Sequence, residues 1–522
     1  MANPPETRKF LAMDLRCCLQ KYAAIVVATA LFWGEAPWVG SAAIALDHPT
    51  THAQVWPDLD NPDAQMIVFA DMLLNMDLTA DAIAIYEQRY TRFIEQGEPD
   101  SAALTLLSLG DHFALQGHLK DAIPYYQRVT TITDATLSAW LIRDAQDKIG
   151  TAHLALGDFD AARQSYEDRL ALERSIESSW AETETLSKLG LVYQLQGHLD
   201  LALTTYQQVV QFYDRTEMNS YSAPEVLNRI ATIHQQQGQV EPALAAYQKA
   251  LKIARRDTSD PQAPHITNQV LSLENISALY QAQGQPDRAR RYQEEAQAVL
   301  DRFGQPDAGG VPYPLELILA SIGEFYLVGQ ESDRAQSYFD RAVEQARTSR
   351  NQDYAELYIL NFIVLAYTKQ SQFAAAIPYQ KQLIPIFQAM DLWGSAAIMS
   401  QNLGNLYAEI DQTEPALAAY NDAVIWFQEN QDYGESSVSI GHIFKQKARL
   451  YEQQNQWEPA ESAYQTALQH YEASQTPLGQ IVVLERLAHL SAQQGESQQA
   501  IAYQNQALTL RRSLDLPWAS MP

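Results

Sequence analysis

The sequence predicts an all-α chain, a right-handed α-α superhelical solenoid of about eleven helical hairpins. Three observations predict it. An alanine recurs about every forty residues, at Ala82, Ala122, Ala162, Ala202, Ala243, Ala289, Ala335, Ala376, Ala416, Ala460 and Ala500. An aromatic follows four residues later in Tyr86, Tyr126, Tyr166, Tyr206, Tyr247, Phe339, Tyr420 and Tyr464, and three residues later in Tyr292, Tyr379 and Tyr503. A turn glycine precedes the alanine in Gly117, Gly157, Gly197, Gly238, Gly284 and Gly495. Such a period marks an array in which each hairpin buries its apolar face only against its neighbours.

Residues 1–45 are a separate element. Arg8, Lys9, Arg16 and Lys21 precede the apolar run Tyr22–Trp33, and Ala43-x-Ala45 follows. That order is the pattern of a secretory signal peptide cleaved after Ala45. The run lies far from the cleavage motif, so an uncleaved signal anchor is the alternative, with Trp38 and Val39 extending the span toward the ~20 residues that cross a bilayer. Either form leaves the basic N-terminus in the cytoplasm and exports the rest, to a periplasm, a thylakoid lumen or the extracellular space. Cleavage would remove both cysteines, Cys17 and Cys18. Residues 46–62 read as a linker. A chain starting Leu46-Asp47-His48 could wrap Cu(II) or Ni(II) through its free amine and His48, although an ordinary tail explains the same residues.

Within each unit the first helix carries an apolar–small pair and an aromatic three residues on, as in Leu189-Gly190…Tyr193 and Leu403-Gly404…Tyr407. The small residue lets the second helix approach, and the anchor alanine does the same from the other side. Glycine closes the first helix because a left-handed residue costs it least. Glu241-Pro242, Glu414-Pro415 and Glu458-Pro459 suit the start of a second helix, where proline loses no needed hydrogen bond and an acid favours the dipole. Ala231, Ser277, Val364, Ala448 and Ala488 replace the first-helix glycine, and Pro124 and Pro378 fall inside second helices.

These residues resemble the tetratricopeptide repeat family, whose L-G-x-x-Y, turn glycine and A-x-x-x-Y-x-x-A pattern covers 63–512. The period is longer than that family's usual 34 residues, as in its kinesin light chain branch and many bacterial arrays. Two steps stretch to 46 residues, Ala243 to Ala289 and Ala289 to Ala335. The second of these includes the Gly/Pro-rich stretch 301–315, read either as a hinge or as a longer surface loop. The predicted order is then units 1–6 over 63–300, the 301–315 segment, units 7–11 over 316–512 and a tail over 513–522.

Composition narrows the chemistry. Lys and Arg number 36 against 63 Asp and Glu, a net charge of −27, which opposes binding to nucleic acid. Adjacent cysteines build neither a disulfide framework nor a zinc site. Phosphate-loop, H-E-x-x-H and G-x-S-x-G motifs are absent, so no enzyme activity and no cofactor are expected. Membrane insertion is expected only if the N-terminal segment stays uncleaved.

The family resemblance implies a concave groove lined by first helices, with peptide or protein partners. Two residues before the small position stand Lys148, Lys188, Arg229 and Asn275 in successive units, then Asn402 later, with Asn405 beside it. Cationic and amide groups in such a row could grip a carboxylate-bearing peptide. Yet Asp144, Glu184 and Glu225 lie four residues before the three cations, and acid–base pairs at that spacing only stabilise a helix. The expected protein is an exported, non-catalytic binding scaffold that would suit assembly of an envelope or membrane complex. The alternative is a regulatory sensor whose curvature changes on ligand binding.

Overall fold

The computed structural model describes Ala70 and residues 79–513, except 116, 133–137, 217–221, 256–262, 304–314, 349–351 and 430–435. The predicted export segment, the predicted linker with His48, the predicted first helix of unit 1, most of the 301–315 segment and the tail beyond 513 lie outside the described residues. Within them the chain is all helix, in twenty-one pieces. Unit 1 contributes its second helix, α1 (Thr79–Gln96). Units 2 to 6 pair α2 (Pro99–Leu115) with α3 (Leu119–Thr130), α4 (Ala139–Ala155) with α5 (Phe159–Ser175), α6 (Ser179–Leu195) with α7 (Leu199–Thr216), α8 (Ser222–Gln236) with α9 (Val240–Ala254), and α10 (Ala263–Ala282) with α11 (Pro286–Phe303). Units 7 to 11 pair α12 (Leu315–Val328) with α13 (Ser332–Thr348), α14 (Gln352–Lys369) with α15 (Phe373–Ala389), α16 (Trp393–Glu409) with α17 (Thr413–Glu429), α18 (Ser436–Gln453) with α19 (Trp457–Ala473), and α20 (Pro477–Gln493) with α21 (Ser497–Ser513).

Each helix packs on the next except α11 on α12, and first helices of neighbouring units also touch, as α8 with α10, α10 with α12 and α12 with α14. Second helices have no comparably close partner among themselves. First helices therefore form the inner, tighter layer and second helices the outer one, the arrangement that gives a curved array its concave side.

The anchor alanines are buried in ten units, and only Ala500 on the last described helix is half-buried. The aromatic after each one explains the first-helix glycine. A Cβ at Gly110, Gly190 or Gly404 would stand 2.4 Å from the ring of Tyr126, Tyr206 or Tyr420. At these three units it is the ring that fills the space a Cβ would need. Ala231 and Ala448 keep the aromatic at its usual place, whereas the units with Ser277, Val364 and Ala488 carry it one residue earlier.

All six turn glycines are left-handed, with φ from 69° to 82°. Pro242, Pro415 and Pro459 sit third in their helices, still inside the first turn, where a missing N–H is harmless. Helices α3 and α15 run on through Pro124, Pro378 and Pro385.

Around the 301–315 segment, α11 continues to Phe303 and α12 begins at Leu315. Val270, Leu271 and Leu300 of unit 6 share one apolar cluster with Ile318, Ile322 and Tyr326 of unit 7, so the core is continuous from unit 6 to unit 7. The array also meets itself over long sequence distances. A Cβ at Gly117 would stand 3.6 Å from the Phe373 ring, and Ile481 and Val482 of α20 join the core cluster of units 1 to 3.

Candidate interaction face

The inner layer carries the side chains that the sequence singled out. Along α4, Trp140, Asp144 and Lys148 follow at four-residue spacing, which keeps them on neighbouring turns of one side. Trp180, Glu184 and Lys188 repeat the arrangement on α6. On α8, Glu225 and Arg229 continue the two lower rows.

None of the three cations stands alone. Glu184 approaches Lys188 at 3.4 Å and Glu225 approaches Arg229 at 3.1 Å, the local pairs anticipated from spacing. Lys148 instead pairs with Asp111 of the preceding unit at 2.8 Å, and Lys188 also reaches Asp147 of the preceding unit. These cross-unit pairs tie first helices together and are invisible to a search for spacing within one helix. Lys148 and Lys188 lie over the rings of Tyr126 and Tyr166, 5.9 and 6.0 Å from the centroids, so each cation also covers the aromatic of the unit before it. Arg229 reaches two units ahead, its guanidinium 4.4 Å from the Phe325 ring centre.

The phenols beneath this layer are held by the residue after the small position. Tyr126 donates to Asp111 (2.7 Å), Tyr420 donates to Asn405 (2.7 Å), and Tyr166 and Tyr247 meet Thr151 and Thr232. Burial pushes the Tyr247 phenol up to about 12, so it stays a neutral donor at any physiological pH. Burial likewise raises the Asp144 carboxyl above its ordinary value, with Lys148 opposing.

Of the amides, Asn275 is 1% exposed and bonds Tyr326, the Leu271 carbonyl and Arg334 (2.7 Å), so it is internal and lines no open surface. Asn405 is half-buried and serves Tyr420, and Asn402 is half-buried on α16. The functional candidates that the spacing search passed over are the two tryptophans, 51% and 58% exposed at equivalent places in successive units. Their signal was present: an aromatic stands ten residues before the small position in Trp140, Trp180, Tyr221, Tyr313 and Tyr354. Among the described residues no group of His, Cys, Asp and Glu is arranged to hold a metal, and no helix is long and apolar enough to cross a membrane.

A family model for the tetratricopeptide repeat matches residues 181–256 and 222–302, and a second such model matches 482–514. Residues 181–302 and 482–514 carry tetratricopeptide repeats. Residues 319–440, in the middle of the array, match the model for the soluble NSF attachment protein, SNAP. No enzyme family is among the matches, and no curated protein matches the chain. Among solved structures, BtubC (BKLC) from P. vanneervenii is 17% identical, with 53% of this chain and 92% of that one covered and a TM-score of 0.30. A kinesin light chain repeat structure from Podosopora anserina is 20% identical over 38% and 94%, with a TM-score of 0.32. The apo quorum sensor NprR from B. thuringiensis is 14% identical over 71% and 99%, also at 0.32. Likenesses this distant say nothing of this repeat array's partner or overall curvature.

Proposed function

We propose that the protein is a non-catalytic scaffold that holds an extended peptide or protein segment along the first helices of units 3 to 5, outside the cytoplasm. The observation that carries the reading is the pair Trp140 and Trp180, exposed one unit apart above matched acid and base rows. Large aromatic side chains left in water on an inner face are the residue type that anchors protein partners. The cations beneath them are already neutralised by carboxylates, so they set register and polarity rather than supply raw affinity. Export rests on the N-terminal pattern, and recovery of a mature chain beginning at Leu46 from the exported fraction supports it; an intact N-terminus in the cytosolic fraction removes it.

Cross-linking in the native compartment, followed by recovery of the partner, tests the binding role. Trp140→Ala with Trp180→Ala should weaken partner capture by about tenfold or more. Capture at full strength by that double variant would sink the face. Charge reversal at Lys188 and Arg229 should change selectivity among partners more than total capture.

A second reading, a sensor that changes curvature, is favoured by the nearness of Phe373 to Gly117 and by Ile481 and Val482 in the N-terminal core. A change of curvature would break those distant contacts, and small-angle scattering with and without partner would show it. An unchanged radius of gyration leaves the scaffold reading alone.

A further inference from the structure

Outside the groove, between the second helices of units 5 and 6, the surface opens into a cleft of about 630 Å³. It lies where the repeat step lengthens to 46 residues. Its charge is opposite to that of the molecule. In a chain of net charge −27, the cleft is lined by Lys252, Arg255, Arg288 and Arg291 with Glu295 as its single acid. Glu295 is taken up by Arg255. Among the described residues Lys252, Arg288 and Arg291 meet no carboxylate, unlike Lys148, Lys188 and Arg229 on the inner face.

The wall is aromatic as well as basic. Tyr280 and Tyr292 stack with centroids 5.5 Å apart and planes 18° from parallel, and the Arg288 guanidinium sits 5.5 Å over Tyr280. A cation seated against a ring is held in place while its N–H donors stay available for an acceptor. Three like charges around one cavity repel each other, and a bound polyanion removes that repulsion.

We propose that this cleft binds a small molecule bearing an oligophosphate chain, independently of what the inner face holds. A volume in the range of about 300–1,000 Å³ suits a small ligand rather than a protein segment. Adjacent phosphoryl groups place several negative charges within a short span, which matches the three uncompensated cations, and guanidinium groups bind phosphate oxygens in bidentate fashion. The chain could be a free oligophosphate or part of a nucleotide; Tyr292, half-buried at the wall, distinguishes them by stacking a base.

Calorimetric titration of the full chain in magnesium-free, low-salt buffer tests the site with tripolyphosphate, ATP, citrate and tetraglutamate as probes. Tripolyphosphate and ATP should bind, more weakly as salt rises, and Arg288→Ala with Arg291→Ala should lower affinity by about tenfold or more. Both arginines are exposed, so helical circular dichroism should be unchanged; Lys252→Ala should give a smaller loss of the same sign. ATP binding tighter than tripolyphosphate, with the advantage lost in Tyr292→Leu, assigns a nucleotide; equal affinities assign the phosphate chain alone. The site is overturned if neither phosphate probe binds at millimolar concentration. It is equally overturned if the folded double variant binds as the parent does, or if citrate or tetraglutamate binds as tightly as the phosphates.

Discussion

Units 2 to 6 and units 7 to 10 make the same turn between their two helices with different residues. The first group uses Gly117, Gly157, Gly197, Gly238 and Gly284; the second uses Gln330, Ser371, Asp411 and Asn455. All nine are left-handed, the non-glycine residues at φ from 53° to 59°. The closing hydrogen bonds are the same as well: the His118 amide reaches the Phe113 carbonyl at 2.9 Å, and the Gln372 amide reaches Tyr367 at 2.9 Å. Stacked helices therefore impose the turn, and glycine only makes it easier. The inner rows differ in parallel. Units 3 to 5 present paired charges at Lys148, Lys188 and Arg229, where units 7 to 9 have Ser321, Phe362 and Asn402.

If the difference is confined to turns and the inner face, the core beneath should respond alike in both groups. Tyr206→Ala and Tyr420→Ala each remove a buried ring seated on a first-helix glycine and should each cost about 3–5 kcal/mol, read from urea unfolding. A Tyr420 variant that loses less than about 1 kcal/mol would show that the second group packs by other rules.

The turns should respond in opposite directions. Gly197 has open space around its missing Cβ, so Gly197→Ala strains only the backbone and should destabilise by about 1–2 kcal/mol. Ser371→Gly should stabilise by up to about 1 kcal/mol, less the extra freedom glycine has when unfolded. Equal signs for the two would mean that side chains, not φ, govern these turns.

The smallest effect concerns the junction of the groups. Burial raises the Glu324 carboxyl above its ordinary 4.5, with Lys369 opposing and Glu225 adding to it. Between the unfolded value and the higher folded one, the folded chain keeps a proton that the unfolded chain has released, so stability falls as pH rises through that window. Glu324→Gln should accordingly raise the melting temperature at pH 7 and leave it unchanged at pH 4. A gain of equal size at both pH values would remove titration as the cause.

Much of the array was legible because its signals are local. Ala202, Tyr206 and Gly197 each act within one hairpin, so their spacing survives in the linear order. Trp140 and Trp180 were equally periodic and could have been found by asking which aromatic recurs ten residues before the small position. The cross-unit pairs were not legible, since Asp147 meets Lys188 only after two first helices lie side by side. Nor was the burial of Asn275, which shares the sequence place of Lys188 but is closed over by Tyr326 and Arg334 of the next unit.

By itself, the sequence determined the period, the hairpin, the turn and the acidic balance, because each depends on residues a few positions apart. Only the tertiary structure decided that Phe373 comes near Gly117, that the core is continuous from unit 6 to unit 7, and that Lys252, Arg288 and Arg291 share a cleft. Those outcomes depend on small rotations between units, which add up along the array and leave no mark in any single repeat.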